Sequence, residues 1–362
     1  MNIAITSLYL PSGSKIGVGY VVHAFANKMI QRGHRVTVFS QTGASSDSLY
    51  EVVIVPSGRW LRTFRFAWGL RGYDFTQFDL LHAHGDDWFL WGCKRPRHVH
   101  TLHGSCLAEM LHADGARAKL RMAALALGEF SACFLADEVV AVSANTRRYN
   151  SFAKLVIPNG VDLDVFRPGE EKSRIPSLLF VGTMQGRKRG AMLLDLFNRE
   201  IRPRVPNVEF WAVCEEEIGG EGVRWFGRVD AEKLVDLYRR AWVFCLPSSY
   251  EGFGVPYIEA MASGAAVVAT PNVGACEVTD DGRFGVICAD EDLADNLVRM
   301  LTDTVLRDRM RRAGLLRARD FSWERVCSDY EALYRLGSAP VPKPAILSAP
   351  EPSCPNRIPI DR

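Results

Sequence analysis

The sequence lacks several features that would assign it to a special class of protein. No apolar run approaches the length of a transmembrane helix, and the N-terminus has no basic region of the kind that opens a signal peptide. The nine cysteines are scattered without a CxxC pair, which argues against a disulfide framework or structural zinc site and for a reducing cytosol. The net charge of +2 is too small to indicate nucleic acid as the main partner.

The 362 residues, 48% of them hydrophobic, are enough for two domains with cores of their own. The chain begins with a strand over residues 2–10, a loop with Gly17 and Gly19, a helix over 18–30 and a strand over 35–40. This order predicts a βαβ unit and a parallel sheet. The loop glycines could let the backbone contact a phosphate, or they could let the helix pack closely against the sheet. The pattern alone does not decide between these two roles.

The second half repeats the alternation of strands and helices, which predicts an α/β fold with parallel sheets in both halves. We place an N-terminal domain over residues 1–165 and a C-terminal domain over 166–320. An amphipathic helix over 321–336 follows. The proline-rich residues 338–362 are expected to be a disordered tail.

Two predicted strands of the first half end in histidine–glycine turns, at His84 and at His103. Ligands of doubly wound sheets lie at the carboxyl ends of the strands, so His103 is a candidate site residue as well as a candidate structural histidine. No carboxylate or cysteine ligand pattern accompanies His82, His84 and His103, and we therefore expect no metal site there.

Residues 59–75 interleave arginines, beginning with Arg59, with aromatic residues. Trp60, Phe64 and Trp68 share one helical face. Such a stripe is typical of a helix that packs into a domain core, and this is the interpretation we favour. The alternative is an interfacial helix that touches an anionic membrane.

Opposite charges occupy two glycine turns of the second half. Arg187 and Lys188 lie in the basic turn over 182–190, and Glu251 lies in an acidic turn followed by a helix that carries Glu259. Cations beside exposed backbone can hold a diphosphate, while a carboxylate can hold ribose hydroxyls. Together the two turns predict a nucleotide diphosphate site.

With these residues in view, the chain resembles the retaining glycosyltransferases of family 4, which have the two-domain GT-B fold. The most specific part is the run from Glu251 to Glu259, which resembles the family's E-x7-E signature, with residues 260–264 after it. Matches at residues 17–19, 82–85, 103–104 and 157–162 accompany it. The resemblance implies two Rossmann-like domains that face each other across a cleft, and a helix over 321–336 that packs back on the N-terminal domain.

The resemblance also implies roles for residues of the second domain. Glu259 would bind the ribose, and Glu251 would hold the donor sugar with the backbone of Phe253 and Gly254. The base of the nucleotide would stack near Arg228 and Val229, which are therefore also predicted to bind the donor.

In the first domain, the loop with Gly17 and Gly19 would approach the diphosphate, and His103 would lie near the reacting carbon. The chain departs from the family by Thr183 after the Val–Gly pair, and by Arg189 where a lysine is usual. We expect Arg187 and Lys188 to bind the phosphates.

The resemblance implies transfer of a hexose from a nucleotide diphosphate sugar to a hydroxyl group, with retention of configuration and no metal or other cofactor. The acceptor would be a carbohydrate, a lipid-linked molecule or a small molecule, in the synthesis of surface polysaccharides or glycolipids. A natural-product glycosyltransferase and a non-catalytic sugar-nucleotide scaffold are the alternatives. The enzyme is expected in the cytoplasm, with membrane contact left open.

Overall fold

The computed structural model describes residues 1–11, 17–58, 60–112 and 115–335. These form two compact units: unit 1 contains the chain up to Gly160 and from Trp323 onward, and unit 2 contains the part between them. The division falls five residues before the predicted boundary. Val161 already belongs to unit 2, since its backbone N–H donates to the carbonyl of Phe321 at 2.7 Å. The predicted tail over 338–362 lies outside the described residues.

Unit 1 is built on a seven-stranded parallel sheet with the strand order β3-β2-β1-β4-β5-β6-β7. Its strands are β1 (Asn2–Thr6), β2 (Arg35–Ser40), β3 (Glu51–Ile54), β4 (Leu80–Ala83), β5 (Arg97–Leu102), β6 (Glu138–Ala141) and β7 (Leu155–Val156). Its helices are α1 (Val18–Gln31), α2 (Arg62–Gly69), α3 (Cys106–His112), α4 (Ala116–Leu135), α5 (Ala144–Arg148) and α12 (Trp323–Arg335).

Unit 2 has a six-stranded parallel sheet in the order β10-β9-β8-β11-β12-β13. Its strands are β8 (Ser177–Val181), β9 (Glu209–Val213), β10 (Val223–Trp225), β11 (Val243–Leu246), β12 (Ala266–Ala269) and β13 (Val286–Ile287). Its helices are α6 (Gly190–Leu196), α7 (Ala231–Arg240), α8 (Val255–Ala262), α9 (Val273–Thr279), α10 (Leu293–Thr302) and α11 (Thr304–Ala318).

The predicted α/β fold with a parallel sheet in each half is confirmed. Central strands such as β4, β11 and β12 are buried along their whole length, as expected where helices cover both faces of a sheet. The edge strand β3 is half-exposed, and its weak apolar pattern gave no prediction. Residues 273–279 form a helix, which Asn272 caps by accepting a hydrogen bond from the N–H of Ala275.

Helix α12 belongs to unit 1, although the rest of that unit precedes residue 161. Its ring of Tyr330 packs edge-on against Phe25 of α1, with centroids 5.1 Å apart. Its Glu331 accepts two hydrogen bonds from Arg32, at 2.8 and 3.0 Å, and lies 3.0 Å from His34. The helix thereby completes the core on one face of the β1–β4–β5 region.

Two further observations concern membranes and thiols. None of the helices among the described residues is both long and apolar enough to cross a bilayer. The eight cysteines among the described residues are all free thiols.

Candidate functional site

Each unit brings its predicted site residues to the carboxyl end of its sheet. In unit 2 the basic turn follows β8 and the acidic turn follows β11, and these strands are neighbours. The order of the strands reverses at this pair, since β9 continues on one side of β8 and β11 lies on the other. Such a switch point is where doubly wound sheets bind ligands.

The basic turn is a short 3₁₀ segment, Gly186–Lys188, followed by Arg189 in the left-handed conformation with φ 57°. Helix α6 then begins at Gly190. A side chain at Gly190 would bring its Cβ to 2.7 Å from the ring of Phe180, so glycine is needed for the turn to lie against β8.

Arg187, Lys188 and Glu251 form what we call the charged cluster of unit 2. The Lys188 ammonium lies 2.6 Å from Glu251 Oε1, and the Arg187 guanidinium lies 3.0 Å from Glu251 Oε2. The hydroxyl of Ser248 also donates to Oε1 at 2.8 Å. Two cations thus meet one carboxylate, and the cluster carries an excess of one positive charge.

Burial and the neighbouring cations shift the pKa of Glu251 in opposite directions. Burial alone would raise it, yet Lys188 and Arg187 hold it below its usual range, so the carboxylate is ionised. Burial also lowers the pKa of Lys188, and Glu251 counteracts this. The side chain of Arg187 is 55% exposed and that of Lys188 only 16%, so the lysine is the cation more dependent on its partner.

The third cation of the turn points elsewhere. The guanidinium of Arg189 donates to Asp290 Oδ2 at 2.5 Å and takes no part in the charged cluster. The hydroxyl of Thr183, where the family usually has arginine, donates to the carbonyl of Gln185 at 2.9 Å. The two cations beside the acidic turn are therefore Arg187 and Lys188, the same two that we expect from the sequence to bind the phosphates.

The acidic turn leads into α8 by way of Gly254, which has φ 92°. The backbone of Phe253 and Gly254 is packed against the start of α9. A side chain at Gly274 would bring its Cβ to 2.7 Å from the carbonyl oxygen of Phe253, and the N–H of Gly274 donates to the carbonyl of Glu251. Close approach of two backbones fixes the conformation of the turn.

Asn272 was missed by the sequence reasoning, although it supports the acidic turn from beneath. Its amide donates to the carbonyls of Ser248 and Thr270 and to the hydroxyl of Tyr257, all at 3.0–3.1 Å. Its position two residues before Gly274 was the signal available in the sequence.

Glu259 lies in the second turn of α8 and is partly buried. Its burial raises the pKa of the carboxyl to about 7, while Tyr238 and Lys188 act in the opposite direction. The pKa values of the two glutamates of the E-x7-E signature are therefore shifted in opposite directions: that of Glu251 lies below its usual range, and that of Glu259 lies above it.

The residues predicted to stack on the base follow β10. Arg228 is half-exposed and forms an ion pair with Glu215, and Val229 is partly buried. Nothing in these contacts distinguishes one base from another.

In unit 1, His84 and His103 come together at the ends of the neighbouring strands β4 and β5. Their rings stack with centroids 5.1 Å apart, and His84 Nδ1 lies 2.8 Å from His103 Nε2. Burial lowers the pKa of His103 to about 4 and lowers that of His84 well below its usual range. Both rings are thus neutral at pH 7 and share one proton in a hydrogen bond.

A chain of buried hydrogen bonds ties the same region to α12. Tyr334 Oη lies 2.6 Å from His82 Nδ1, and His82 Nε2 lies 2.8 Å from the hydroxyl of Thr101. That hydroxyl is 2.9 Å from Tyr330 Oη. The sequence reasoning missed both tyrosines, because residues more than 200 positions away from the histidines gave no local signal.

Gly17 and Gly19 lie where α1 begins after β1. Gly17 has φ 108°, and a Cβ at Gly19 would lie 2.5 Å from the carbonyl oxygen of Tyr9. The glycine at position 19 therefore serves close packing of the helix start, which was one of the two alternatives from the sequence.

The interpretation of residues 59–75 as a core helix was wrong for most of its aromatic stripe. Trp60 is 85% exposed and Trp68 62% exposed, whereas Phe64 packs edge-on against Trp88 at 5.0 Å. The core contacts of α2 are instead made by Phe66 and Ala67. Arg59 lies outside the described residues.

The fold and the site define a class: a two-unit α/β protein with cations and a carboxylate at the switch point of its second sheet. The model described as Glycosyltransferase Family 4 matches residues 16–165, and the model described as Glycosyl transferases group 1 matches residues 175–303. The two models match successive parts of the chain, and the chain belongs to the glycosyltransferases that they describe.

Similar proteins agree with this assignment. A phosphatidyl-myo-inositol mannosyltransferase of Mycobacterium tuberculosis is 31% identical over 221 residues, which cover 54% of this chain and 58% of the relative. The O-antigen chain mannosyltransferase B of Escherichia coli is 31% identical over 172 residues, or 44% and 45% of the two chains. The chain thus spans about half the length of these relatives.

Solved structures share the fold at low identity. Sucrose-phosphate synthase from Thermosynechococcus elongatus has a TM-score of 0.77 at 21% identity, over 92% of this chain and 98% of its own. The HepE protein of Anabaena in complex with UDP-glucose has a TM-score of 0.71 at 16% identity, over 92% and 99% of the two chains. These likenesses confirm the GT-B fold.

Proposed function

We propose that the protein transfers a hexose from a nucleotide diphosphate sugar to a hydroxyl group of its acceptor. The observation that carries this proposal is the charged cluster of unit 2, where Arg187 and Lys188 converge on Glu251 at a switch point. A protein cation pair at such a place suits the negative charge that builds on a leaving diphosphate. The complex of HepE with UDP-glucose supports a nucleotide sugar as the donor.

The roles within the site follow from charge. Arg187 and Lys188 would bind the diphosphate, and Glu251, freed from part of its pairing, would accept hydrogen bonds from the sugar hydroxyls. Glu259 would bind the ribose, with the base near Arg228 and Val229. These assignments remain proposals for each residue.

We assign His103 to the sugar during the transfer. Its neutral ring can donate or accept a hydrogen bond, and it adds no positive charge beside an oxocarbenium-like centre. The proposed reaction retains the configuration of the sugar carbon and uses no metal for the diphosphate, because the two cations supply the positive charge.

An acceptor at a membrane surface is favoured by one specific observation. We call two ring pairs of unit 1 the aromatic patch: Trp68 lies 5.6 Å from Phe89, with Arg71 over Trp68, and Trp91 stacks on Phe134 at 5.5 Å. The arginines at 62, 65 and 71 are exposed beside it. Aromatic rings flanked by arginines suit the interface of an anionic bilayer. The names of the mannosyltransferases among the relatives support a glycolipid or polysaccharide acceptor. The enzyme would then act at the cytoplasmic face of the membrane.

The transfer is tested by incubating the purified full chain with UDP-, GDP- and ADP-sugars in the presence of EDTA and a membrane extract. We expect release of one nucleoside diphosphate that depends on the extract, and a product whose anomeric configuration by NMR equals that of the donor. No release with any donor would favour the non-catalytic scaffold, and release that needs Mg²⁺ would contradict the metal-free mechanism.

The membrane contact is tested by sedimentation with vesicles of phosphatidylglycerol and phosphatidylcholine. Trp60→Ser with Trp68→Ser should reduce the bound fraction several-fold, because each side chain contributes exposed apolar area. Trp225→Ser, which removes a partly exposed tryptophan of unit 2, is the matched control. Equal binding by both variants would contradict the assignment of the patch.

A further inference from the structure

A second cluster of ligating side chains lies in unit 1, on β5 and in the loop after β4. His98 and His100 are two residues apart on β5, so their side chains share one face of the sheet. Thr101, which contacts His82, lies on the other face, so this cluster is separated from His82 by the sheet itself. The mechanism proposed above uses none of the cluster's residues.

Asp87 brings the two imidazoles together. Its Oδ2 lies 2.7 Å from His98 Nε2, and its Oδ1 lies 2.9 Å from His100 Nδ1. Asp87 and His98 have no exposed surface at all, and His100 is 1% exposed. The three donor atoms all lie within 4.8 Å of one another.

Some polar atoms of this cluster lack an aligned hydrogen bond, although His100 Nδ1 forms one with Asp87 Oδ2 at 3.2 Å. Neither ring nitrogen of His98 makes an aligned hydrogen bond with any described residue, in spite of its short contact with Asp87. Asp87 Oδ1 also lacks an aligned partner among the described residues. Buried polar atoms without partners are costly, which points to a group that is bound between them.

The charge around the cluster has the sign that a cation needs. Asp86 and Glu129 both act electrostatically on His100, in addition to Asp87. Within the described part of the chain, none of these three carboxylates forms an ion pair with a lysine or arginine. The carboxylate of Asp87 thus faces two imidazoles in a buried place, and this negative charge would help to stabilise a divalent cation bound there.

The geometry suits a transition metal. Two metal–ligand bonds of about 2.1 Å whose ends lie 2.7–2.9 Å apart enclose an angle of about 80–90°. This is close to the angle between neighbouring ligands in octahedral coordination. Two histidines and one carboxylate are a ligand set that binds first-row divalent metals with open positions.

We propose that Asp87, His98 and His100 bind one first-row divalent transition-metal ion in the interior of unit 1. The ion would join β5 to the loop after β4, which carries His84 at its start. Its role would be structural: it would fix the ends of the two strands that present His84 and His103. This site is separate from the diphosphate site, whose chemistry needs no metal.

The test starts with the metal content of the untagged full chain, measured by inductively coupled plasma mass spectrometry after loading with Zn²⁺, Co²⁺ or Mn²⁺ and desalting. We expect about one ion per chain for at least one metal. The Co²⁺ form should show hyperfine-shifted imidazole N–H resonances, and a strong chelator should lower the melting temperature by several degrees. Less than about 0.1 ion per chain with all three metals would overturn the proposal and favour a simple buried Asp–His ion pair.

The variants His98→Gln and Asp87→Asn should lose the ion, and chelator should no longer change their melting temperature. His23→Gln is the matched control, since His23 is a buried histidine of the same unit that contacts Asp47 at 3.2 Å outside the cluster. It should keep the ion. Full metal content in His98→Gln would overturn the assignment, and if that variant does not fold, the Co²⁺ resonances of the unaltered chain decide whether two histidines are ligands.

Discussion

The charged cluster of unit 2 differs from the pair His84 and His103 of unit 1 in how its titratable groups are charged. Arg187, Lys188 and Glu251 keep their charges, because each is paired. His84 and His103 give up theirs, because burial lowers the pKa of both rings. The proposed roles rest on this difference: the charged groups of unit 2 are proposed for the diphosphate, and the neutral rings of unit 1 for the sugar.

The same contrast occurs on a smaller scale between the two glutamates of unit 2. Glu251 has two cations within 3.0 Å, which lower the pKa of its carboxyl. Glu259 is dominated by burial, which raises its pKa to about 7. The E-x7-E signature thus contains an ionised carboxylate, Glu251, and a carboxyl that can be neutral, Glu259. Glu251 is the one that pairs with the cations of the basic turn.

The largest effect is expected for the neutral histidine. His103→Ala should lower kcat by about 100-fold and leave the KM for the donor within about threefold, since a group that acts mainly in the transition state affects turnover. Steady-state kinetics with the matching donor checks this. His23→Ala, at a buried histidine away from β4 and β5, should keep most of the activity. An unchanged kcat in His103→Ala would remove this residue from the site.

The next effect distinguishes the cations of the basic turn. Lys188→Ala should weaken nucleoside diphosphate binding by about 10- to 50-fold, because a buried cation is lost from the charged cluster. Arg189→Ala is the adjacent control and should change Kd by less than about threefold, since Arg189 pairs with Asp290. Isothermal titration calorimetry measures both. Equal losses in the two variants would mean that the turn acts only through its total charge.

The two glutamates should respond to substitution with opposite signs at pH 8. The lowered pKa of Glu251 contributes stability above the unfolded value near 4.5, and this is lost as pH falls through the folded pKa. The raised pKa of Glu259 contributes stability below about 4.5, which is lost as pH rises through about 7. Glu251→Gln should therefore destabilise unit 2, and Glu259→Gln should stabilise it, the second by about 1–2 kcal/mol.

Denaturant unfolding of these two variants at pH 5 and pH 8 checks the prediction. At pH 5 the gain from Glu259→Gln should nearly vanish, because the carboxyl is then already protonated in the folded state. Loss of stability in Glu259→Gln at pH 8 would show that its carboxylate, and not its protonated form, is favoured by the surroundings.

The smallest effect concerns the link between α12 and the histidines. Tyr334→Phe removes the hydroxyl 2.6 Å from His82 and leaves a buried ring nitrogen without that partner, which should cost about 1–2 kcal/mol. Tyr73→Phe removes a hydroxyl that donates to the carbonyl of Ile54 at an exposed position, and should cost less than about 0.5 kcal/mol. Thermal unfolding of both variants provides the comparison, and equal costs would contradict the role of the buried network.

The fold of unit 2 and the position of its two charged turns could be predicted because their signals are local in the sequence. The alternation of apolar runs and glycine turns predicts the parallel sheets, and Glu251 and Glu259 stand eight positions apart on a turn and its helix. The pairing of Glu251 with Lys188 was not predicted. It joins residues 63 positions apart, and it depends on β8 and β11 being neighbours.

The charge state of His103 and the exposure of Trp60 and Trp68 could not be predicted, because both depend on how deeply side chains are buried in the fold. The lowered pKa of His103 results mainly from burial, with His100 acting in the same direction, and the sequence around His103 does not indicate how deeply its ring is buried. The exposure of Trp60 and Trp68 was predicted wrongly for the same reason. The periodicity of residues 60–68 defines a face of the helix but not what covers it.

Calorimetric titration of the full chain with UDP, GDP and ADP in the presence of EDTA tests the central claim most directly. The claim is that protein cations, not a metal, hold the diphosphate. We expect at least one of the three to bind with a Kd in the micromolar range, about 10-fold or more tighter than its nucleoside monophosphate, because the second phosphate meets Arg187 and Lys188. Equal affinity for the diphosphate and the monophosphate, or binding that appears only after Mg²⁺ is added, would contradict the claim.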